Sequence, residues 1–179
     1  LLDDLLDLSV LENGQVSLNE QAVLLHDVLE QAVTTAQASS ARGVEIRRQV
    51  DDETVQIFTD SDRLAQVFIN LVTNAIKYCD SDAPVLDITV VKNGGQVVTT
   101  FTDNGSGIPE DSQTLIFEKF ARLGGGDGDG AGLGLAICRE IVTRLGGDIR
   151  YVPHAGGGSF EVRMTCLVIE KEAQGLLPA

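Results

Sequence analysis

Two asparagines and a lysine stand four and three residues apart in Asn70-Leu-Val-Thr-Asn74-Ala-Ile-Lys77-Tyr78. On a helix turning about 100° per residue, that spacing stacks them along one line. Amide oxygens are hard, neutral ligands suited to Mg²⁺ when a bound polyphosphate carries the negative charge, and Lys77 can extend an ammonium toward a phosphate. Further along, Asp103-Asn-Gly105-Ser-Gly107-Ile108 sets a carboxylate before a glycine turn, where the backbone can approach a flat ligand closely. Adenine offers an amino donor where guanine offers an acceptor, so a buried carboxylate at Asp103 selects ATP over GTP. The third piece, Gly130-Ala-Gly132-Leu133-Gly134-Leu135, opens a helix whose free N–H groups and positive dipole end attract phosphate. Taken singly, the three read equally as a solvated helix face, an Asx turn and a flexible loop. Taken in order, they supply what metal, adenine and phosphates need.

Competing chemistries fit less well. Gly126-x-Gly128-x-x-Ala131 loosely matches the dinucleotide pattern, but no strand immediately precedes it within a βαβ unit. There is no Gly-Lys dipeptide, so a Walker-type loop is absent. His26 and His154, the only histidines, have no metal-site or triad arrangement around them and read as helix surface and loop.

The elements that must position these groups follow from periodicity. Leucines at 1, 2, 5, 6 and 8 among Asp3, Asp4 and Asp7 mark a helix end stopped by Asn13-Gly14, and residues 20–39 read as a second helix entered after Ser17-Leu-Asn19. Residues 44–50 alternate, with 54–59 as a short partner strand, which predicts a half-buried antiparallel pair. Asp60 or Ser61 caps a helix whose apolar face is Leu64, Val67, Phe68, Leu71, Val72 and Ala75. Its opposite stripe is Arg63, Gln66, Asn70, Thr73, Asn74 and Lys77. Runs 85–92 and 96–102 flank Asn93-Gly94-Gly95 and predict a hairpin. A short helix is expected within 109–119. Seven of the eleven residues 124–134 are glycine, with Asp127 and Asp129 among them, which predicts a segment that is mobile unless something orders it. A helix then runs from about 132 to Gly146-Gly147, and a last strand alternates Phe160, Val162, Met164 and Cys166 with Glu161, Arg163 and Thr165. From Glu170 onward the tail is expected to fray. Strand pairs interleaved with helices, without regular βαβ alternation, imply a two-layer α/β sandwich whose mostly antiparallel sheet carries helices on one face.

Composition sets outer bounds. A chain of 179 residues with 43% hydrophobic residues can build one core. Its 27 Asp+Glu against 13 Lys+Arg leave a net charge of −14, which argues against nucleic acid or an anionic membrane surface as partner. Cys79, Cys138 and Cys166 form no Cys-x-x-Cys pair, so neither a disulfide framework nor a zinc ribbon is indicated, and a reducing, cytoplasmic setting is expected. No apolar run of about eighteen residues occurs. The chain starts Leu1-Leu2 rather than with Met and reads as an excised piece, leaving a membrane-bound parent open.

These residues resemble the catalytic ATP-binding domain of two-component sensor histidine kinases, within the GHKL group shared with type II topoisomerases, mismatch-repair ATPases and heat-shock chaperones. Asn70 to Tyr78 is similar to the N box, Asp103 to Ile108 to the first glycine box, Phe117-Glu-Lys-Phe120 to the F box, and Gly130 to Leu135 to the second glycine box. The leader 2–14 resembles the end of the dimerisation domain's second helix and its linker, giving units of 1–14 (leader), 15–170 (ATP-binding domain) and 171–179 (tail). The resemblance implies a Bergerat-type sandwich. It also implies that Asn74, helped by Asn70, ligates Mg²⁺, that Lys77 contacts phosphate, that Tyr78 lies along adenine and that Asp103 binds its amino group. Gly105, Gly107, Ile108, Phe120, Gly130, Gly132, Leu133, Gly134 and Leu135 would line the nucleotide, with Lys119 and Arg122 as cations near the terminal phosphate. The lid would be Ala121 to Ala131, shorter and richer in glycine than usual, and Gly156-Gly-Gly158-Ser159-Phe160 would be a compressed third glycine motif.

Where hydrolysing relatives carry a glutamate base, this chain has Asn70, whose amide accepts no proton at neutral pH. The implied function is donation of the γ-phosphoryl group of Mg·ATP to a histidine on an upstream dimerisation domain, with a response-regulator receiver domain as further partner. His26-Asp27 imitates the acceptor motif's first two residues, but it follows the linker and no proline comes after it. The isolated chain is therefore expected to bind Mg·ATP without autophosphorylating. The alternatives are a degenerate ATP-sensing scaffold, a hydrolysing ATPase or a serine kinase of the same superfamily.

Overall fold

A computed structural model describes residues 2–14, 17–121 and 133–167. In chain order the elements are α1 (Leu2–Glu12), β1 (Gln21–Leu24), α2 (Leu25–Ala38), β2 (Glu45–Val50), β3 (Gln56–Thr59), α3 (Ser61–Tyr78), β4 (Val85–Asn93), β5 (Gln96–Asp103), α4 (Glu110–Gln113), α5 (Gly134–Arg144), β6 (Asp148–His154) and β7 (Gly157–Thr165). A five-stranded sheet runs in the order β2-β4-β5-β7-β6, and a separate two-stranded sheet joins β1 to β3. All neighbours in the large sheet are antiparallel except β2 and β4.

Period-2 alternation turns one face of that sheet into the core. Leu86, Ile88 and Val90 of β4, Val97, Thr99 and Phe101 of β5, and Val162 and Met164 of β7 are buried on it, and α2, α3 and α5 cover it. The expected two-layer sandwich with helices on one face is thus present. Helix α3 supplies Leu64, Val67, Phe68, Leu71 and Val72 to this layer, with the Phe68 ring 5.5 Å from that of Phe101. Asp60 caps α3: Oδ1 accepts the N–H groups of Asp62 (3.1 Å) and Arg63 (3.2 Å), and Oδ2 accepts that of Asn19. The hairpin turns through Gly94 at φ +61°, with Asn93 paired to Gln96.

Three expectations are corrected. Residues 45–50 and 56–59 do not pair with each other. β2 runs parallel to β4 in register Glu45–Val85, while β3 pairs antiparallel with β1. A parallel pair needs a crossover, and α3 provides it between β2 and β4. The helix expected over 20–39 begins only at Leu25, because 21–24 extend along β3 and the Leu25 N–H is taken by Val55 O at 3.1 Å. A strand over 148–154, β6, closes the sheet edge beyond β7 where no element had been read.

The leader is helical as expected. α1 buries Leu8 and Leu11 and packs beside α5. Polar contacts fix its rotation. Asp7 accepts from Arg63 Nη1 (3.1 Å) and Gln66 Nε2 (3.0 Å), and Arg144 Nη2 donates to the Glu12 carbonyl (3.0 Å). Residues 122–132, which hold most of the expected lid, and the tail from 168 lie outside the described residues.

Candidate nucleotide site

Helix α3 carries its polar stripe along the edge of the core. Asn70 and Asn74 are half-buried, and Lys77 and Tyr78 stand exposed at the C-terminal end, with Lys77 Nζ 5.3 Å from the Tyr78 ring centroid. Arg63 and Gln66, on the first turns of the same stripe, are engaged by Asp7 of α1. The C-terminal half of the stripe presents Asn70 and Asn74 one turn apart.

Across from this half stands α5. Its N-cap Leu133 makes no side-chain cap hydrogen bond, and a Cβ placed on Gly134 would meet no described atom within 4 Å. Helix starts leave N–H donors without intrahelical acceptors, and such donors suit an anion. Leu133 is buried and Leu135 half-buried, anchoring that start to the core. Asn70 Nδ2 reaches across to α5 and lies 3.6 Å from Cys138 Sγ.

The base end of the site is built at the end of β5. Asp103 falls in register with Phe101 and Thr99 and so shares the helix-covered side of the sheet, half-buried rather than fully buried. Its Oδ1 accepts the Gly105 N–H at 2.8 Å. A Cβ on Gly105 would lie 2.8 Å from Asp103 Oδ1 and 2.9 Å from Asp80 Oδ1, so only glycine fits between those carboxylates. Gly107 adopts φ +80°, and a Cβ there would sit 3.0 Å from the Gly157 carbonyl oxygen.

Three residues not singled out from sequence hold this loop. Asp80 accepts from both the backbone N–H (2.7 Å) and the hydroxyl of Ser106, bonds that hold its carboxyl below the usual aspartate range. Asn104 accepts the Val85 N–H (2.8 Å) and donates to the Ala83 carbonyl (2.9 Å), tying the loop to the chain that leaves α3. Tyr151 Oη accepts the Ile108 N–H at 2.9 Å, and its ring packs edge-on against Phe160. Asn104 was visible only as part of a turn motif. Asp80 and Tyr151 carried no local signal, since their partners lie 26 and 43 residues away.

The F-box residues separate. Phe117 packs edge-on against Phe160 at 6.2 Å, whereas Phe120 is 56% exposed at φ +62°, a conformation costly for a bulky residue. Lys119 is turned to the leader, its Nζ 2.6 Å from Glu12 Oε1. Both partners are substantially exposed, so the pair is worth no more than about 1 kcal/mol and a polyphosphate could displace it. Arg122, Gly130 and Gly132 fall outside the described residues. Of the histidines, His154 is exposed as expected, but His26 is half-buried, with Nε2 4.0 Å from Glu53 Oε2. No group of three His, Cys, Asp or Glu able to hold a metal occurs among the described residues. Among the described residues, Asn70 and Asn74 offer amide oxygens, hard neutral donors of a kind that suits Mg²⁺ when phosphate oxygens complete its shell.

The fold, in a chain with no Gly-Lys dipeptide, defines a class: an ATP-binding α/β sandwich without a P-loop. Comparison with known proteins agrees. Residues 59–169 match the family described as "Histidine kinase-, DNA gyrase B-, and HSP90-like ATPase". The chain is 34% identical over 166 residues to the circadian input-output histidine kinase CikA of Synechococcus elongatus, covering 89% of this chain and 22% of CikA. It is 33% identical over 178 residues to the signal transduction histidine-protein kinase BaeS of Escherichia coli, covering 97% of this chain and 37% of BaeS. Among solved structures, full-length ShkA in complex with AMPPNP superposes with a TM-score of 0.79 at 27% identity, covering 93% of this chain and 35% of ShkA. The chain belongs to the histidine kinase-, DNA gyrase B- and HSP90-like ATPase family, as the catalytic ATP-binding domain of a two-component sensor histidine kinase. It spans roughly a fifth to a third of the length of these curated relatives. Among the described residues, no helix is long and apolar enough to cross a membrane.

Proposed function

We propose that this chain holds Mg·ATP between the C-terminal half of α3 and the start of α5 and donates its γ-phosphoryl group to a histidine on a dimerisation domain that lies outside these 179 residues. The observation that carries the reading is the half-buried Asn70–Asn74 pair beside an uncapped helix start. Asn74, helped by Asn70, would hold Mg²⁺, which when bound supplies charge neutralisation on the phosphates. The start of α5 and Lys77 take the phosphate oxygens, and Asp103 takes the adenine amino group. Tyr78, 58% exposed beside this end of the site, is available to cover the base.

An amide at position 70 cannot remove a proton from water, so hydrolysis is slow and the phosphoryl group survives for a better nucleophile. Catalysis then rests on positioning and electrostatics, as expected for phosphoryl transfer. The AMPPNP bound in the ShkA structure supports the nucleotide assignment. Names of relatives as histidine kinases support the acceptor and, through it, a receiver domain as the next partner.

Titration calorimetry with a nonhydrolysable ATP analogue, with and without Mg²⁺, tests the site. Wild-type affinity should rise with Mg²⁺, and Asn74→Ala should lose that rise. An Asn74→Ala protein with unchanged Mg²⁺-dependent affinity refutes the assignment. Phosphate release well above background would instead favour a hydrolase. Acid-labile, base-resistant label on a separately supplied dimerisation domain would establish the donor reaction, and such label on the isolated chain would contradict the expected lack of autophosphorylation.

A further inference from the structure

Cys138 lies on α5 directly behind Asn70, fully buried, at the seam where α5 packs on α3. Two polar contacts among the described residues tie it to α3. Its Sγ is 3.8 Å from the Val67 carbonyl oxygen and 3.6 Å from Asn70 Nδ2. A thiol has a single proton. With that proton directed at the Val67 carbonyl, sulfur meets Asn70 with lone pairs and accepts from the amide nitrogen. The amide is planar, so fixing Nδ2 on sulfur turns Oδ1 away from it.

We infer that Cys138 is a positioning residue for the nucleotide site: its sulfur selects the Asn70 orientation in which the amide oxygen, not the nitrogen, is offered to the Mg²⁺. This rests on the role given to Asn70 above and adds the reason its side chain is oriented before ligand arrives. The terminal torsion of an asparagine is broad and roughly two-fold, so an amide without this contact would present nitrogen about as readily as oxygen. Nitrogen cannot ligate a cation, and groups that orient a metal ligand typically matter 10- to 100-fold in affinity.

The test uses two substitutions in the full 179-residue chain. Cys138→Val keeps a branched apolar group of similar bulk but removes the acceptor, and Cys138→Ser keeps a donor and an acceptor at the same place. The first readout is the Asn70 side-chain amide signal in ¹H–¹⁵N spectra of nucleotide-free protein. It should shift in Cys138→Val and stay close to wild type in Cys138→Ser. The second is the Mg²⁺-dependent gain in affinity for a nonhydrolysable ATP analogue. It should fall about 10-fold in Cys138→Val and recover in Cys138→Ser, with metal-free affinity little changed in both. Unmoved Asn70 signals in Cys138→Val, or a full Mg²⁺-dependent gain in that variant, would overturn the inference. So would equal losses in both variants, which signify packing alone. A wild-type protein lacking any Mg²⁺-dependent gain would instead bring down the nucleotide-site reading, while the ligand-free amide signal still reports whether sulfur holds the amide.

Discussion

Asp103 ends β5 on the helix-covered side of the sheet and has one oxygen committed to the Gly105 N–H at 2.8 Å. Its charge is what an adenine amino group would recognise. Asp103→Asn replaces a charge-assisted bond, worth about 1.5–3 kcal/mol, by a weaker contact. ATP affinity should drop about 10- to 100-fold and the preference for ATP over GTP should shrink, as competition calorimetry with both nucleotides can show. A GTP affinity that fell in parallel would mean that Asp103 only shapes the turn. Gly105→Ala acts by sterics, since its methyl would sit 2.8 and 2.9 Å from two carboxylate oxygens and push the loop from Asp80 or Asp103. These positions were legible because turn chemistry is local: Asp-Asn-Gly-Ser-Gly announces itself in five consecutive residues. The groups that brace them were not. Asp80, Tyr151 and Cys138 act on residues 26, 43 and 68 positions distant, and no local pattern encodes such a pairing.

Helix α3 owes its start to Asp60, which satisfies two of the first N–H groups and holds Asn19 as well. Asp60→Ala should cost about 1–2 kcal/mol, read as a lower denaturant midpoint, because three part-buried backbone donors lose their acceptor. The attachment of α1 has a pH signature. Burial by itself would raise the carboxyl of Asp7, but hydrogen bonds from Gln66 and Arg63, with the Arg63 charge, outweigh it and leave the group below the usual aspartate range. A folded value below the unfolded one means that the contact stabilises fully above about pH 4 and is lost as pH falls through the folded value. An NMR titration of the Asp7 carboxyl should therefore give a midpoint below the ordinary value of about 3.9, and a midpoint at that ordinary value would show that α1 is not docked. At this scale the sequence was a good guide to helices and to the β4–β5 hairpin, and a poor one to the partners of β2 and β3. Alternation in 44–50 and 56–59 reports a half-covered strand, yet it does not say which neighbour covers it. Adjacency suggested a hairpin, whereas the crossover through α3 set β2 beside β4.

The whole molecule carries a net charge of −14, with its acidic residues spread along the chain. Self-repulsion of this size opposes compaction, and salt screens it over about 10 Å at 0.1 M. The melting temperature should rise between low salt and 0.15 M NaCl, and a fall would mean that surface ion pairs such as Arg48–Glu30 outweigh the repulsion. What the sequence alone determined was the chemistry on offer: amides at helical spacing, a carboxylate closing a strand, glycines at a helix start, and a two-layer sandwich able to carry them. Those features depend on short-range rules of spacing, turn geometry and periodicity, which a chain displays before it folds. Tertiary structure decided how the parts meet. It brought Cys138 behind Asn70, set Glu12 on Lys119, turned Phe117 inward and Phe120 outward, and braced the loop after β5 with Asp80 and Tyr151. Such contacts follow from the packing of α1, α3 and α5 around one sheet, a property of the assembled core that no single segment contains.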